Sequence, residues 1–331
     1  MTAINIINSF RVVSMLKALV IMVCVWLAAS DAAVVLIRVD QSGGGGGGVH
    51  VHHRKIQDAI DSVPSNNSRR VLISVAPGVY REKVVVPADK PFITLSGNKG
   101  NGSATVITWA DYGDIFFSPT LTIFASDFTA LYLTIQNTHG PGAKAVAMRV
   151  CADRVALFGC RILSHQDTLL DDRGRHYYKN CYIQGDTDFI CGNAASLFEK
   201  CHLHSVSEGN GAITAQRRGS RWEATGFAFV GCTITGTKTA FLGRPWGAYS
   251  RVIFALTNMS NVVLPQGWDN WNDLSKQRTV YYGEYKCYGA GAKRRGRVNW
   301  SRSLSSEEAA PFLTTHMIGG GSWIRMAAAR H

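Results

Sequence analysis

The apolar positions of this chain fall into short runs rather than long stripes. From Val71 onward the runs are Val71 to Val75, Lys83 to Val86, Phe92 to Leu95 and Leu121 to Phe124, rich in Val, Ile, Leu and Thr and separated by turn residues. That pattern predicts strands. One helical stripe stands out at Lys55 to Val63, where Ile56, Ala59, Ile60 and Val63 share a face before Pro64. Proline ends a helix because it lacks an N–H and clashes with the preceding turn. No long helix is predicted.

A repeat organises these runs. Leu157-Phe-Gly-Cys160-Arg-Ile162 recurs as Tyr178-Lys-Asn-Cys181-Tyr-Ile183, as Phe198-Glu-Lys-Cys201-His-Leu203 and as Phe229-Val-Gly-Cys232-Thr-Ile234. The cysteines are 21, 20 and 31 residues apart. A unit of that length with several short strands reads as one coil of a parallel β-helix, whose equivalent positions stack about 4.8 Å apart. The fold expected is therefore all-β, a single-domain solenoid. The cysteines are expected as an interior ladder of small apolar residues, not as disulfides or metal ligands. A leucine-rich repeat has a similar period, but its consensus is missing.

The first residues change the context. Arg11 and Lys17 precede the apolar run Ala18 to Ala29, and small residues follow at Ser30 and Ala32. This is the order of a secretory signal, expected over residues 1–32, with the catalytic domain over 33–331. The run is short for a membrane span, which needs about 20 apolar residues, so no stable membrane anchor is expected. Secretion gives meaning to four Asn-x-Ser sequons at Asn66, Asn101, Asn258 and Asn299. Seven cysteines remain after the signal, an odd number that leaves at least one unpaired.

The net charge of +12 and a pI near 9.4 suit a polyanionic partner. Outside the cell that favours an acidic polysaccharide over nucleic acid. Gly43 to Gly48 reads as a turn or linker, followed by His50, His52 and His53. No cysteine or carboxylate lies at ligand spacing from those histidines, so no metal site is expected.

Gly-x-Ser-x-Gly, His-Glu-x-x-His and a Walker loop are all absent from the sequence. The repeat offers other chemistry. Asp167 and Asp188 are 21 residues apart, the offset of Cys160 and Cys181, so they are expected as stacked neighbours one coil apart. Two adjacent carboxylates do not both ionise easily; one pKa rises, and the pair supplies an acid and a base.

Five blocks then resemble, in order, those of the pectin methylesterase (pectinesterase) family. They are Gly78-Val-Tyr80-Arg-Glu82, Ala145-Val-Ala147, Gln166-Asp-Thr-Leu169, Asp188-Phe-Ile190 with Gly192, and Leu242-Gly-Arg-Pro-Trp246. The resemblance spans about Val34 to Trp323 and implies a right-handed parallel β-helix of the pectin lyase-like kind, in a form without a large pro-region. It further implies Asp188 as nucleophile, Asp167 as general acid and then base, Gln166 as oxyanion donor, and Arg244 as the group that orients Asp188. Phe189, Arg244, Trp246 and Trp268, with Lys144, are the substrate contacts it suggests. No cofactor is implied. The expected partner is methyl-esterified homogalacturonan in the cell wall, with a proteinaceous pectinesterase inhibitor as a further candidate, and the enzyme is expected to be a monomer.

Two positions depart from the family. Lys144 stands where the family has a glutamine that helps hold the oxyanion, and Cys191 replaces an aromatic residue. Lys144 admits a second reading, a catalytically weakened pectin-binding homologue. A polygalacturonase or pectate lyase on the same scaffold is a third.

Overall fold

Runs of β-branched and aliphatic residues three to six positions long cannot close a sheet by hairpins here, because no tight two-residue turn joins them. They stack between coils instead. The computed structural model describes residues 34–42 and 51–324; the expected signal segment, the glycine run and His50 lie outside them. Among the described residues the strands form three parallel sheets of twelve, eight and seven strands. Each full coil gives one strand to each sheet. Val155–Phe158, Arg161–Leu163 and Leu169–Arg173 are followed by Arg175–Lys179, Tyr182–Gly185 and Ile190–Gly192. The chain is a right-handed parallel β-helix and a single domain.

The repeated hexapeptide is the corner between the first and second sheets. A left-handed residue turns the chain there, at Gly159, Asn180, Lys200, Gly231 and Lys286, each with φ between 46° and 64°. The cysteine that follows points inward. Cys160, Cys181, Cys201 and Cys232 are buried as free thiols, and Cys287 continues the row. Cys181, Cys201, Cys232 and Cys287 each donate to a carbonyl of the preceding coil, at 3.3 to 3.6 Å. The first position of the hexapeptide makes a second ladder. Tyr178, Phe198, Phe229 and Phe254 stack with centroids 4.5 to 4.6 Å apart.

The expected helix is shorter than its apolar stripe, Ile56–Asp61, although Val63 is buried with it. The strand expected from Phe92 begins at Ile93, because Phe92 adopts a positive φ of 63°.

One buried polar cluster lies inside the catalytic coils. Asp171 Oδ1 is 2.6 Å from His176 Nδ1 and accepts from the Tyr178 hydroxyl at 2.6 Å, while Ser196 donates to Oδ2. His176 Nε2 is 2.7 Å from the Ala152 carbonyl oxygen. Both imidazole nitrogens face acceptors, so both donate and the ring is a cation. Burial opposes that charge, but Asp171 outweighs it and raises the His176 pKa. Asp171→Ala leaves the cation and two hydroxyls unpaired, and is expected to cost about 3–5 kcal/mol. Thermal unfolding checks this: the midpoint falls by roughly 5–15 °C, whereas an unchanged midpoint contradicts it.

The last described residues cover one face only. Ile318, Trp323 and Ile324 pack on Ala156, Tyr177, Leu197 and Ala228 of the first sheet. The outer face of the third sheet stays open and carries the site.

Candidate active site

The two aspartates enter the third sheet at the same point of successive coils. Asp167 precedes Leu169–Arg173 and Asp188 precedes Ile190–Gly192, with Leu169 paired to Ile190. Both take left-handed backbone, φ 60° and 51°. Such conformations are sparse outside glycine, and Asp tolerates them better than most residues. Hydrogen bonds from the Asp167 N–H to the Thr187 carbonyl (3.1 Å) and from the Asp188 N–H to the Ala212 carbonyl (2.6 Å) hold them there. Thr168 and Phe189 then point inward with no exposed surface. The carboxylates face a pocket of about 190 Å³. Its polar wall is Lys144, Gln166, Asp167, Asp188 and Arg244; its apolar wall is Ile115, Cys191, Ala215, Trp246 and Trp271.

Arg244 reaches Asp188 from two coils away. Its Nε donates to Oδ1 at 2.8 Å and its Nη2 to Oδ2 at 2.7 Å, a planar fork on one carboxylate. The guanidinium lies 4.0 Å from the Trp271 ring centroid, which fixes its plane. Burial raises the Asp188 pKa, and Arg244 opposes that rise on both oxygens; Asp269 adds to it and Lys144 subtracts. Asp167 has no such clamp. Burial first, and the Asp188 charge second, push it up to about 7, against a weaker pull from Lys144 and Arg244. Burial and the same carboxylates hold the Cys191 thiol well above its usual range. Arg244 thus offsets part of the burial of Asp188, whose pKa stays raised, while the unclamped Asp167 is pushed up to about 7.

Gln166 is half-buried on the pocket wall, and its side-chain amide has no partner among the described residues. Lys144 pairs with Gln166 across a parallel bridge, one coil before the aspartates. Its side chain is exposed at the pocket and forms no ion pair with Asp167 among the described residues.

Two expected contacts are not at the surface. Trp268 is 1% exposed, stacked on Tyr282 at 4.3 Å, with Nε1 near Glu284. The bridge from Gly243 to Trp268 puts it in the interior ladder, where no sugar reaches it. Phe189 is fully buried, packed so closely against Gly185 that a methyl there collides with its Cβ. Trp271, three residues after Trp268, is the tryptophan that shares the pocket with Trp246. Ile115 and Ala215 were also missed by sequence reasoning, since neither residue type signals a site. Among the described residues no group of three or more His, Cys, Asp or Glu is placed to hold a metal ion.

Known proteins bear on this geometry. The Pectinesterase family model matches residues 46–321. Putative pectinesterase 11 of Arabidopsis thaliana is 60% identical over 295 residues, 88% of this chain and 82% of that one. Pectinesterase QRT1 of the same plant is 42% identical over 82% of this chain and 75% of its own. Among solved structures, the pectin methylesterase from carrot superposes with a TM-score of 0.82 at 33% identity, covering 89% of this chain and 95% of that one. The Aspergillus niger pectin methylesterase gives 0.76 at 28% identity, over 87% and 95%.

Proposed function

This chain belongs to the pectinesterase family of carboxylic ester hydrolases, and on that footing we propose that it hydrolyses the C6 methyl esters of homogalacturonan to pectate and methanol in the plant cell wall. The observation that carries the reading is the asymmetry of the pair: Asp188 clamped by Arg244, Asp167 unclamped and pushed up to about 7.

Asp188 attacks the ester carbonyl carbon. The oxyanion that develops is held by the unpaired Gln166 amide, with the Lys144 ammonium on the same wall. The C–OCH₃ bond breaks as Asp167 gives its proton to the departing oxygen, releasing methanol and leaving an acyl group on Asp188. Asp167, now a carboxylate, takes a proton from water as the water attacks the acyl carbon. The product acid leaves and both aspartates return to their starting states. Trp246 and Trp271 give the sugar ring apolar faces beside the reacting carbon. These steps draw on side chains alone.

Lys144 tunes the pair. Its charge lowers the pKa of both aspartates. Lys144→Gln is expected to shift both limbs of the pH–rate profile to higher pH, and to raise turnover at pH 8 by about twofold to threefold. An unmoved profile contradicts the role.

Secretion through the segment at 1–32 agrees with the polymer substrate, and no helix among the described residues is long and apolar enough to cross a membrane. Asn66, Asn101 and Asn299 are exposed and open to glycans, whereas Asn258 is half-buried in the strand Asn258–Met259. The cleft takes its residues from one chain, so a monomer suffices, and a proteinaceous inhibitor that covers the cleft is the natural protein partner. Methanol release from highly esterified pectin tests the activity. The weakened-homologue, polygalacturonase and pectate lyase readings gain no observation of their own.

A further inference from the structure

The second sheet has an outer face that the proposed reaction does not use. Its strand His202–Ser205 alternates, with Leu203 fully buried between two half-buried histidines. A strand sends successive side chains to opposite faces, so His202 and His204 share the outer one. Parallel pairing sets Tyr182 and Gln184 beside them on the preceding coil, and Thr233 and Thr235 on the following one. Three rings pack together there. The Tyr182 centroid lies 5.1 Å from that of His202 and 6.0 Å from that of His204, and the two imidazole centroids are 6.1 Å apart. The Arg161 guanidinium sits over the Tyr182 ring, 4.4 Å from its centroid.

The two imidazoles converge on one atom. His202 Nε2 and His204 Nδ1 each lie 2.7 Å from the Thr235 hydroxyl oxygen. That hydroxyl has a single proton and donates to one ring at most. Neither ring has a second hydrogen-bond partner among the described residues. Nitrogens aimed at a common point have the arrangement of a chelate. Sharing one oxygen keeps these two no more than twice 2.7 Å apart. An ion bound to both at about 2.0–2.1 Å needs them within about 4 Å. Rotation of either ring about its Cβ–Cγ bond, a broad torsion, covers the difference.

We propose that His202 and His204 form a surface site for a divalent transition-metal ion, with the Thr235 hydroxyl or water completing its shell. Donor chemistry sets the class of ion. Imidazole nitrogen suits copper, zinc and nickel, and copper(II) binds such donors most tightly. Calcium and magnesium need several oxygen donors, carboxylates above all. No carboxylate hydrogen-bonds to His202, His204, Tyr182 or Thr235 among the described residues. The charge of Arg161 opposes any cation, so the affinity comes from the nitrogens rather than from charge, which again favours copper(II). The ion takes no part in ester hydrolysis, because the aspartate pair stands on the third sheet and this pair on the second.

The test titrates the protein with copper(II) in a buffer that does not bind copper, without pectin, and reads affinity by calorimetry and donor atoms by electron paramagnetic resonance. The wild type is expected to show copper coupled to two imidazole nitrogens, undisturbed by a tenfold excess of calcium. His202→Gln and His204→Gln are each expected to weaken copper binding at least about tenfold and to leave one coupled imidazole at most. Both variants are expected to release methanol at the wild-type rate, so the loss is not one of folding. His52→Gln, which removes an exposed histidine from the strand Val51–His53 of the first sheet, is expected to keep the two-nitrogen spectrum. A wild-type protein without that spectrum overturns the site whatever the variants do. So does a spectrum and affinity unchanged in both His202→Gln and His204→Gln, or abolished by His52→Gln.

Discussion

Asp188→Ala is expected to lower methanol release by at least about 10³-fold, because it removes the atom that forms the new bond rather than one that assists it. The substitution also frees Arg244, whose two bonds to Asp188 are its fork contacts in the pocket. Its guanidinium stays over Trp271 and remains partly solvated, so the protein is expected to fold and to retain pectin. Two measurements separate chemistry from collapse: the thermal midpoint and retention on a pectin column. A folded, pectin-binding Asp188→Ala protein that still releases methanol at more than a few per cent of the wild-type rate removes Asp188 from the nucleophile's role.

Asp167→Asn is expected to act in opposite directions on activity and on stability. Activity falls by about 10²–10⁴-fold, the usual contribution of a positioned acid–base group. Stability rises near neutral pH. The folded pKa of Asp167 is raised to about 7 from an ordinary 3.8, so between these values the folded protein holds a proton that the unfolded chain has lost. Its contribution is full below about pH 4 and declines as pH rises through about 7, a loss of up to about 4 kcal/mol. Asparagine does not ionise and escapes it. Unfolding curves at pH 5 and pH 8 check the sign: the variant gains on the wild type as pH rises. A variant less stable than the wild type at pH 8, with no relative gain from pH 5, shows that Asp167 is not a strained acid. The same raised pKa sets the alkaline limb of the wild-type reaction, since methanol leaves only when Asp167 carries its proton.

The parts of this fold that were legible are those written once per coil. Cys160, Cys181, Cys201 and Cys232 announce a ladder because each occupies the same corner, and the aromatic stack from Tyr178 to Phe254 follows the same register. Asp167 and Asp188 share that offset, so their adjacency was readable before any role was assigned. Arg244 was different. It lies 56 residues beyond Asp188, after the coil length has changed, and only resemblance to a family joined the two. Trp268 and Trp271 show where side-chain direction defeats sequence reasoning. Both follow the same turn, but a bridge to Gly243 turns the first inward, and a left-handed residue at Trp271 (φ 55°) turns the second toward the cleft. Phe189 failed because the left-handed backbone at Asp188, just before the strand Ile190–Gly192, turns Phe189 into the interior beside Ile190.

The measurement that bears most directly on the whole account follows methanol, reducing ends and unsaturated uronate together during digestion of highly methyl-esterified homogalacturonan. The account predicts methanol in step with new carboxylates, at unchanged chain length and without unsaturated ends, and its loss in Asp188→Ala. New reducing ends or unsaturated uronate without methanol, or a folded protein that binds the polymer and releases none, contradicts it.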